Sequence, residues 1–200
     1  MTDHFQQLYE QSDDPWQVRQ RWYEQRKRAV LLASLPASHM RHVFEPACGN
    51  GELTAALARQ ADRVTATDLS PAAVQLTRDR LAGAAPGRVS VECQRIPQQW
   101  PQDSLFDLIV ISEMAYYLNT AELDQLRQRC IDTLAMDGAL LLCHWRHPFA
   151  DRQLSTEAIH GAFDDCPDLH RIARHDESDF LLDVWSRSPR SVAQREGVSP

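Results

Sequence analysis

Two periodicities alternate along this chain. From Trp16 to about Leu35, the apolar residues Val18, Trp22, Ala29, Val30 and Ala33 recur at helical spacing, with Arg21, Gln25 and Arg28 opposite them. Asp13-Asp14-Pro15 in front supplies an acidic N-cap and a proline suited to a first helical turn, and Pro36 stops the run. Residues 1–12 are polar and read as a flexible N-terminus, loose or at most a short helix. Further on, short apolar runs alternate with longer amphipathic ones. His42–Glu45, Arg63–Thr67, Arg88–Cys93, Phe106–Ser112 and Ala139–His144 read as strands. Glu52–Arg59, Ala72–Ala82 and Ala121–Leu134 read as helices, the second capped by Ser70 with Pro71 behind it, the third capped by Thr120.

Strands that alternate with helices predict a mostly parallel sheet covered on both faces, because each parallel crossover lays a helix against the sheet. Beyond Pro148 the pattern changes. A helix over 156–163 is followed by two short runs, Leu169–Arg174 and Phe180–Trp185, which predict an antiparallel hairpin at the sheet edge. Residues 187–200 are polar, carry two prolines and read as a disordered tail, which leaves 13–186 as one domain.

Composition narrows the function classes. The net charge of −7 repels polyphosphate and disfavours nucleic acid as a partner. No run approaches the roughly 18 apolar residues of a membrane span. The first residues lack the basic start and apolar stretch of a secretion signal. The five cysteines are scattered and form no CxxC pair, so reduced thiols in a cytoplasm are expected, with neither a disulfide framework nor a zinc site. His144 and His147 could suggest a metal pair, but no third ligand has suitable spacing. A small-molecule partner and a monomer or homodimer fit this balance.

The informative segment is Val43-Phe44-Glu45-Pro46-Ala47-Cys48-Gly49-Asn50-Gly51-Glu52-Leu53. A strand delivers an acid, then a turn of small residues opens a helix. Glycines at such a turn permit positive φ and let a ligand approach the backbone. Asp68 ends the second strand, where a carboxylate can accept hydrogen bonds from a ribose diol. NAD is the competing ligand for this pattern, but its GxGxxG turn asks for a third small residue where this chain has Leu53.

Glu45 to Gly51 resembles motif I of the class I S-adenosylmethionine-dependent methyltransferases, written (E/D)xGxGxG, with Ala47 at the first glycine. Asp68-Leu69-Ser70-Pro71 resembles motif II, Phe106–Val110 the fourth strand, and Asp137–Leu141 the turn into the fifth. The resemblance implies a Rossmann-like α/β fold: a doubly wound, mostly parallel, seven-stranded sheet with an antiparallel edge strand. It implies S-adenosyl-L-methionine as cofactor and S-adenosyl-L-homocysteine as product. Ala47, Gly49 and Gly51 then face the methionine part of the cofactor, while Glu45 orients the loop or receives the ammonium group through water. Asp68 takes the ribose and Leu69 lies against the adenine, flanked by Gln94, Arg95 and Ile96. Arg95 stands where the family often has an acid for the adenine amino group. Ser112, Trp22 and Arg26 complete the implied cofactor set, the last two as part of a lid or simply of a helix packed on the sheet.

A closer resemblance lies in Asp14-Pro15-Trp16, Trp22–Arg28, Ser112–Leu118, Cys143–Pro148 and Phe180–Trp185, which are similar to the nodulation protein S family. That family's activity implies N-methylation of an amino sugar in a deacetylated chitooligosaccharide, a step of nodulation-signal oligosaccharide biosynthesis. Methyl transfer is a displacement at a sulfonium carbon, favoured by alignment and exclusion of water, and an amine acceptor must give up its proton to attack. Candidates at the carboxyl ends of strands four and five are Glu113 and His144 as catalytic groups, with Tyr116, Tyr117 and His147 shaping the acceptor pocket. A small-molecule O-methyltransferase and a non-catalytic cofactor-binding protein are the alternatives.

Overall fold

The computed structural model describes residues 2–83 and 87–199. Met1 of the expected N-terminal segment and Pro200 of the expected tail lie outside the described residues. Two compact units organise the chain, residues 1–33 with 39–100, and residues 34–38 with 101–200.

The first unit opens with α1 (Thr2–Gln11), where a flexible segment or short helix is expected. Its Gln6 Oε1 accepts from the Ser70 hydroxyl at 2.7 Å and from the Ala72 N–H at 3.1 Å, which gives the helix a fixed seat. The helix expected from Trp16 begins later, as α2 (Trp22–Ala33). The Asp14 carboxylate does not cap a helix there. It folds a turn, accepting from Val18 N–H at 2.8 Å and Arg19 N–H at 3.1 Å, and Gln17 takes a left-handed φ of +57° that no continuous helix allows. The Gln25 side chain then donates to the Arg19 carbonyl, stitching α2 back onto this turn.

Next come β1 (Met40–Pro46), α3 (Glu52–Leu57), β2 (Ala61–Asp68), α4 (Pro71–Leu81) and β3 (Val89–Cys93). The strands are parallel, with Glu45 opposite Ala66 and Asp68 opposite Cys93. Ser70 caps α4 as predicted, its hydroxyl accepting from Ala73 N–H, with Pro71 at the first position. Val43, Phe44, Leu57, Val64 and Ala66 are fully buried, each larger side chain contributing roughly 1.5–3 kcal/mol by leaving water.

The second unit holds β4 (Phe106–Ser112), a 3-10 turn (Ala115–Tyr117), α5 (Thr120–Thr133), β5 (Leu134–Trp145), α6 (Thr156–Asp164), β6 (His170–Asp176) and β7 (Phe180–Ser186). α5 is capped by Asn119 rather than Thr120, because Asn119 and Glu122 exchange side-chain and backbone bonds in a reciprocal box. β5 starts directly from α5 at Leu134 rather than after Gly138, with a register shift against β4 between Phe106 and Leu108. β4 and β5 are parallel, and β7 runs antiparallel to both β5 and β6. Across the seven-stranded sheet the order is β3-β2-β1 through the first unit and β4-β5-β7-β6 through the second. This is the mostly parallel, Rossmann-like α/β class, with its antiparallel element toward the β6 edge.

The tail differs from the expectation of disorder. Ser191 and Gln194 form a capping box for α7 (Val192–Arg195), and Arg195 donates to the Ser186 hydroxyl at 2.6 Å. A single arginine thus ties a polar segment to the end of β7.

The turn at residues 14–19 is testable. Asp14→Ala leaves two backbone N–H groups without their acceptor, and urea denaturation is expected to show a loss of about 1–2 kcal/mol. An unchanged midpoint at unchanged slope rules out a stabilising role for this carboxylate.

Candidate functional site

In the first unit the site grows from the tips of β1 and β2. Glu45, one residue before the end of β1, is 3% exposed, and its Oε2 has no hydrogen-bond partner. Burial pushes the Glu45 carboxyl up to about 8, the charge of Asp68 adds to the rise, and the Thr54 hydroxyl pulls the other way. Asp68 ends β2, buried, with Oδ2 accepting from Gly49 N–H at 3.0 Å and Oδ1 from Ser70 N–H at 2.9 Å. Burial raises its pKa too, opposed by the backbone N–H groups of Ser70, Gly49 and Leu69. An ionised carboxylate offers about four acceptor positions, so two structural bonds leave Asp68 able to receive a diol.

Between the two acids the loop turns on left-handed residues. Ala47 has φ +55°, Gly49 +57° and Gly51 +77°. Ala47 therefore carries the strain that the usual glycine avoids, of order 1–2 kcal/mol. A Cβ on Gly51 would stand 2.8 Å from Thr77 Cγ2, and one on Gly49 would stand 2.6 Å from the Tyr9 hydroxyl, so both positions demand glycine. Thr77 donates to the Gly49 carbonyl at 2.8 Å and Arg80 to the Asn50 carbonyl at 2.9 Å, which clamps the loop onto α4.

The expected cofactor residues meet here in large part. Gln94 N–H donates to the Asp68 carbonyl at 2.9 Å and the Cys93 thiol to the Leu69 carbonyl, so the segment after β3 adjoins the tip of β2. Ile96 is buried and Arg95 exposed. Trp22, by contrast, is 73% exposed at the start of α2, and Arg26 is half-buried one turn later. The aromatic residue at the loop is Tyr9, which the sequence reading missed. Asn50 was missed as well: its amide donates to the Asp13 carbonyl and to Asp14 Oδ1, both at 3.1 Å. The signal for α1 lay in Phe5, Leu8 and Tyr9, apolar at helical spacing.

In the second unit, Ser112 ends β4 in register with Cys143 of β5. Glu113 follows at a left-handed φ of +55°, and its Oε2 accepts from the Tyr116 hydroxyl at 2.6 Å and from Trp145 N–H at 3.0 Å. Burial, together with the Glu113 charge, raises the Tyr116 phenol well above its ordinary value, and the partly exposed Tyr117 is pushed up to about 12 for the same reasons. Tyr116, Tyr117 and Phe149 pack with ring centroids 4.9–5.5 Å apart. His147 is exposed and pairs with Asp179 at 2.9 Å. His144 is wholly buried, with Nε2 accepting from Ala115 N–H at 3.3 Å and Nδ1 facing His160 Nε2 at 3.1 Å. Among the described residues no group of three or more His, Cys, Asp or Glu is placed to hold a metal ion, and no helix is long and apolar enough to cross a membrane.

Residues 43–138 match the methyltransferase domain family. Over 132 residues the chain is 33% identical to nodulation protein S of Rhizobium tropici, across 65% of this chain and 54% of that protein. The chain thus spans about half the length of this curated relative. A crystal structure from Pseudomonas syringae, assigned as a methyltransferase, is 45% identical, with a TM-score of 0.73 over 83% of this chain and 99% of that one. The N-methyltransferase NodS of Bradyrhizobium japonicum WM9, solved with S-adenosyl-L-homocysteine, shares the fold at 24% identity, with a TM-score of 0.79 over 91% of this chain and 97% of its own. With a buried acid at the end of each of two adjacent strands around a left-handed glycine turn, the chain belongs to the S-adenosylmethionine-dependent methyltransferases of the class I, Rossmann-like fold.

Proposed function

We propose that this chain transfers a methyl group from S-adenosyl-L-methionine to the nitrogen of a small amine acceptor, an amino sugar or deacetylated chitooligosaccharide of the nodulation type. The observation that carries the cofactor half is the pair of buried carboxylates, Glu45 with its unpartnered Oε2 and Asp68 with remaining acceptor capacity, on either side of the glycine turn. S-adenosyl-L-methionine, when bound, supplies an electrophilic sulfonium methyl. Asp68 accepts from the ribose hydroxyls, and the bare backbone of Gly49 and Gly51 lets the methionine part come close. Glu45 receives the ammonium group, directly or through water. Leu69 and Ile96 border the adenine, with Gln94 and Arg95 beside it.

The acceptor half is supported by Glu113 and the tyrosines. A left-handed non-glycine residue costs of order 1–3 kcal/mol and is typically retained where function fixes it. Glu113 holds an incoming ammonium by charge and takes up a proton as the nitrogen becomes a nucleophile. Tyr117 and His147, both accessible, shape the pocket for a polar acceptor. The N-methyltransferase NodS, which shares the fold, supports an amine acceptor by its name.

Calorimetric titration with S-adenosyl-L-methionine and S-adenosyl-L-homocysteine, with NAD as control, is expected to give micromolar binding for the first two alone. Asp68→Ala is expected to weaken that binding by about 1.5–3 kcal/mol through loss of charge-assisted bonds. Unchanged affinity in that variant removes Asp68 from the ribose site. Binding without methyl transfer to a glucosamine trisaccharide or other amines would point to a non-catalytic cofactor-binding protein.

Proton release tests Glu45. With its folded-state pKa raised to about 8, the group is mostly neutral at pH 7, and an ammonium partner draws it to the anion. Titrations with S-adenosyl-L-homocysteine in buffers of different ionisation enthalpy are expected to show a proton leaving, and affinity rising with pH up to about 8. The contribution to stability has the opposite sign: the free protein loses stability as pH rises through the same range, because the buried group must ionise. Glu45→Gln should abolish the proton release, and a wild-type protein that releases none contradicts this role.

A further inference from the structure

We infer that Asp183, His160 and His144 form a tautomer relay that positions the turn carrying Glu113 and Tyr116, with Asp183 and His160 as positioning residues for methyl transfer. The inference rests on the reading of that turn as the acceptor side. His144 of β5, His160 of α6 and Asp183 of β7 are 0%, 1% and 0% exposed. His160 Nδ1 lies 2.8 Å from Asp183 Oδ2, His160 Nε2 lies 3.1 Å from His144 Nδ1, and His144 Nε2 accepts from Ala115 N–H at 3.3 Å. Polar groups so deeply buried are costly when left alone; here the two rings and Asp183 Oδ2 partner one another in sequence, while Asp183 Oδ1 makes no hydrogen bond and is met only by arginine charge.

The two ends of this chain fix every proton in it. At one end Ala115 N–H can only donate, so His144 Nε2 is bare and His144 is neutral, with its proton on Nδ1. That proton is donated to His160 Nε2, which must therefore also be bare. His160 then carries its proton on Nδ1 and donates it to Asp183. At the far end Arg174, which can only donate, lies 3.2 Å from each Asp183 oxygen, and Arg171 Nε lies 3.8 Å from Oδ1. Asp183 is opposite Arg174 in the β6–β7 register, so the charge pair is built into the strand pairing. One proton arrangement satisfies all of these contacts.

The arrangement has a consequence for the sequence-predicted base. Both nitrogens of His144 are engaged and its ring is inaccessible, so it holds Ala115 in place and leaves proton transfer to Glu113. Ala115 opens the 3-10 turn, and Glu113, two residues earlier, holds the strained φ of +55°. Tyr116 in turn hydrogen-bonds Glu113 Oε2. Anchoring the Ala115 N–H therefore holds the backbone on which that carboxylate is aimed.

Asp183→Asn preserves shape and reverses the relay. With the amide NH2 at the Oδ2 position facing His160 Nδ1, Arg174 gives up its bond there and keeps the amide oxygen at the Oδ1 position through Nε; both imidazoles then shift to the Nε2–H tautomer, whose proton on His144 opposes Ala115 N–H. In wild type, imidazole 15N spectra at pH 7 are expected to show His144 and His160 as neutral Nδ1–H tautomers. His144 found as the Nε2–H tautomer or as an imidazolium overturns the proposal with no variant needed. In Asp183→Asn the tautomers should switch and the Ala115 amide should exchange at least about tenfold faster, with S-adenosyl-L-homocysteine affinity within about twofold of wild type. Transfer to a glucosamine trisaccharide should fall about 10–100-fold, the usual scale for loss of an outer supporting bond. Unchanged tautomers or unchanged Ala115 exchange overturn the relay. A full relay effect on Ala115 with transfer unchanged, while Glu113→Gln abolishes it, overturns the positioning role alone. Should wild type and Glu113→Gln both fail to methylate the trisaccharide, the acceptor reading is what falls, and the spectra still decide the relay.

Discussion

The hydrogen bonds that Asp68 accepts from Gly49 and Ser70 are the constraint on which the first unit depends. One oxygen holds the loop after β1, the other the entry to α4, so a single side chain sets the distance between a turn and a helix start. Taking a carboxylate out of water is expensive, and backbone N–H groups offset that cost where no cation is at hand. The same arrangement keeps the carboxylate facing the turn. Glu45 lacks such donors and is held near neutrality, and the contrast between the two acids follows from their partners rather than their depth.

In the second unit the corresponding solution is different. Asp183 also lies in an apolar strand, but it is balanced by an arginine across the strand pair and by one histidine N–H from a helix. Its polarity is passed along through two rings to a backbone amide. Both units therefore convert a buried acid into a fixed position for main-chain atoms, through direct acceptance in one case and through imidazoles in the other.

Much of this was legible from residue order. Ser70-Pro71 marked the start of α4, the run from Phe106 to Ser112 marked β4, and the glycines between two acids marked the left-handed turn from β1 into α3. These signals are local, and local chemistry decided them. What escaped were features settled by partners distant in the chain. Asp14 looked like a helix cap, but Gln17 takes a left-handed conformation that only the folded turn supports. Asn119 outcompeted Thr120 as a cap because Glu122 could answer it. His160 and Asp183 lie 23 residues apart, and nothing beside either one in the chain points to the other. An acid inside Phe-Leu-Leu-Asp-Val-Trp was nonetheless a clue, since an aspartate in a buried strand must have a partner somewhere.

Asn50 occupies a slot in the loop motif where the pattern accepts almost any residue, yet its amide reaches the Asp13 carbonyl and the Asp14 carboxylate. A position that is free within the motif is thereby committed by contacts outside it. Among descendants of this sequence, the residues at 14 and 50 share one inheritance: a change at either removes a bond that the other makes. Variation at these two sites should therefore be paired, even though the motif by itself records no rule for either.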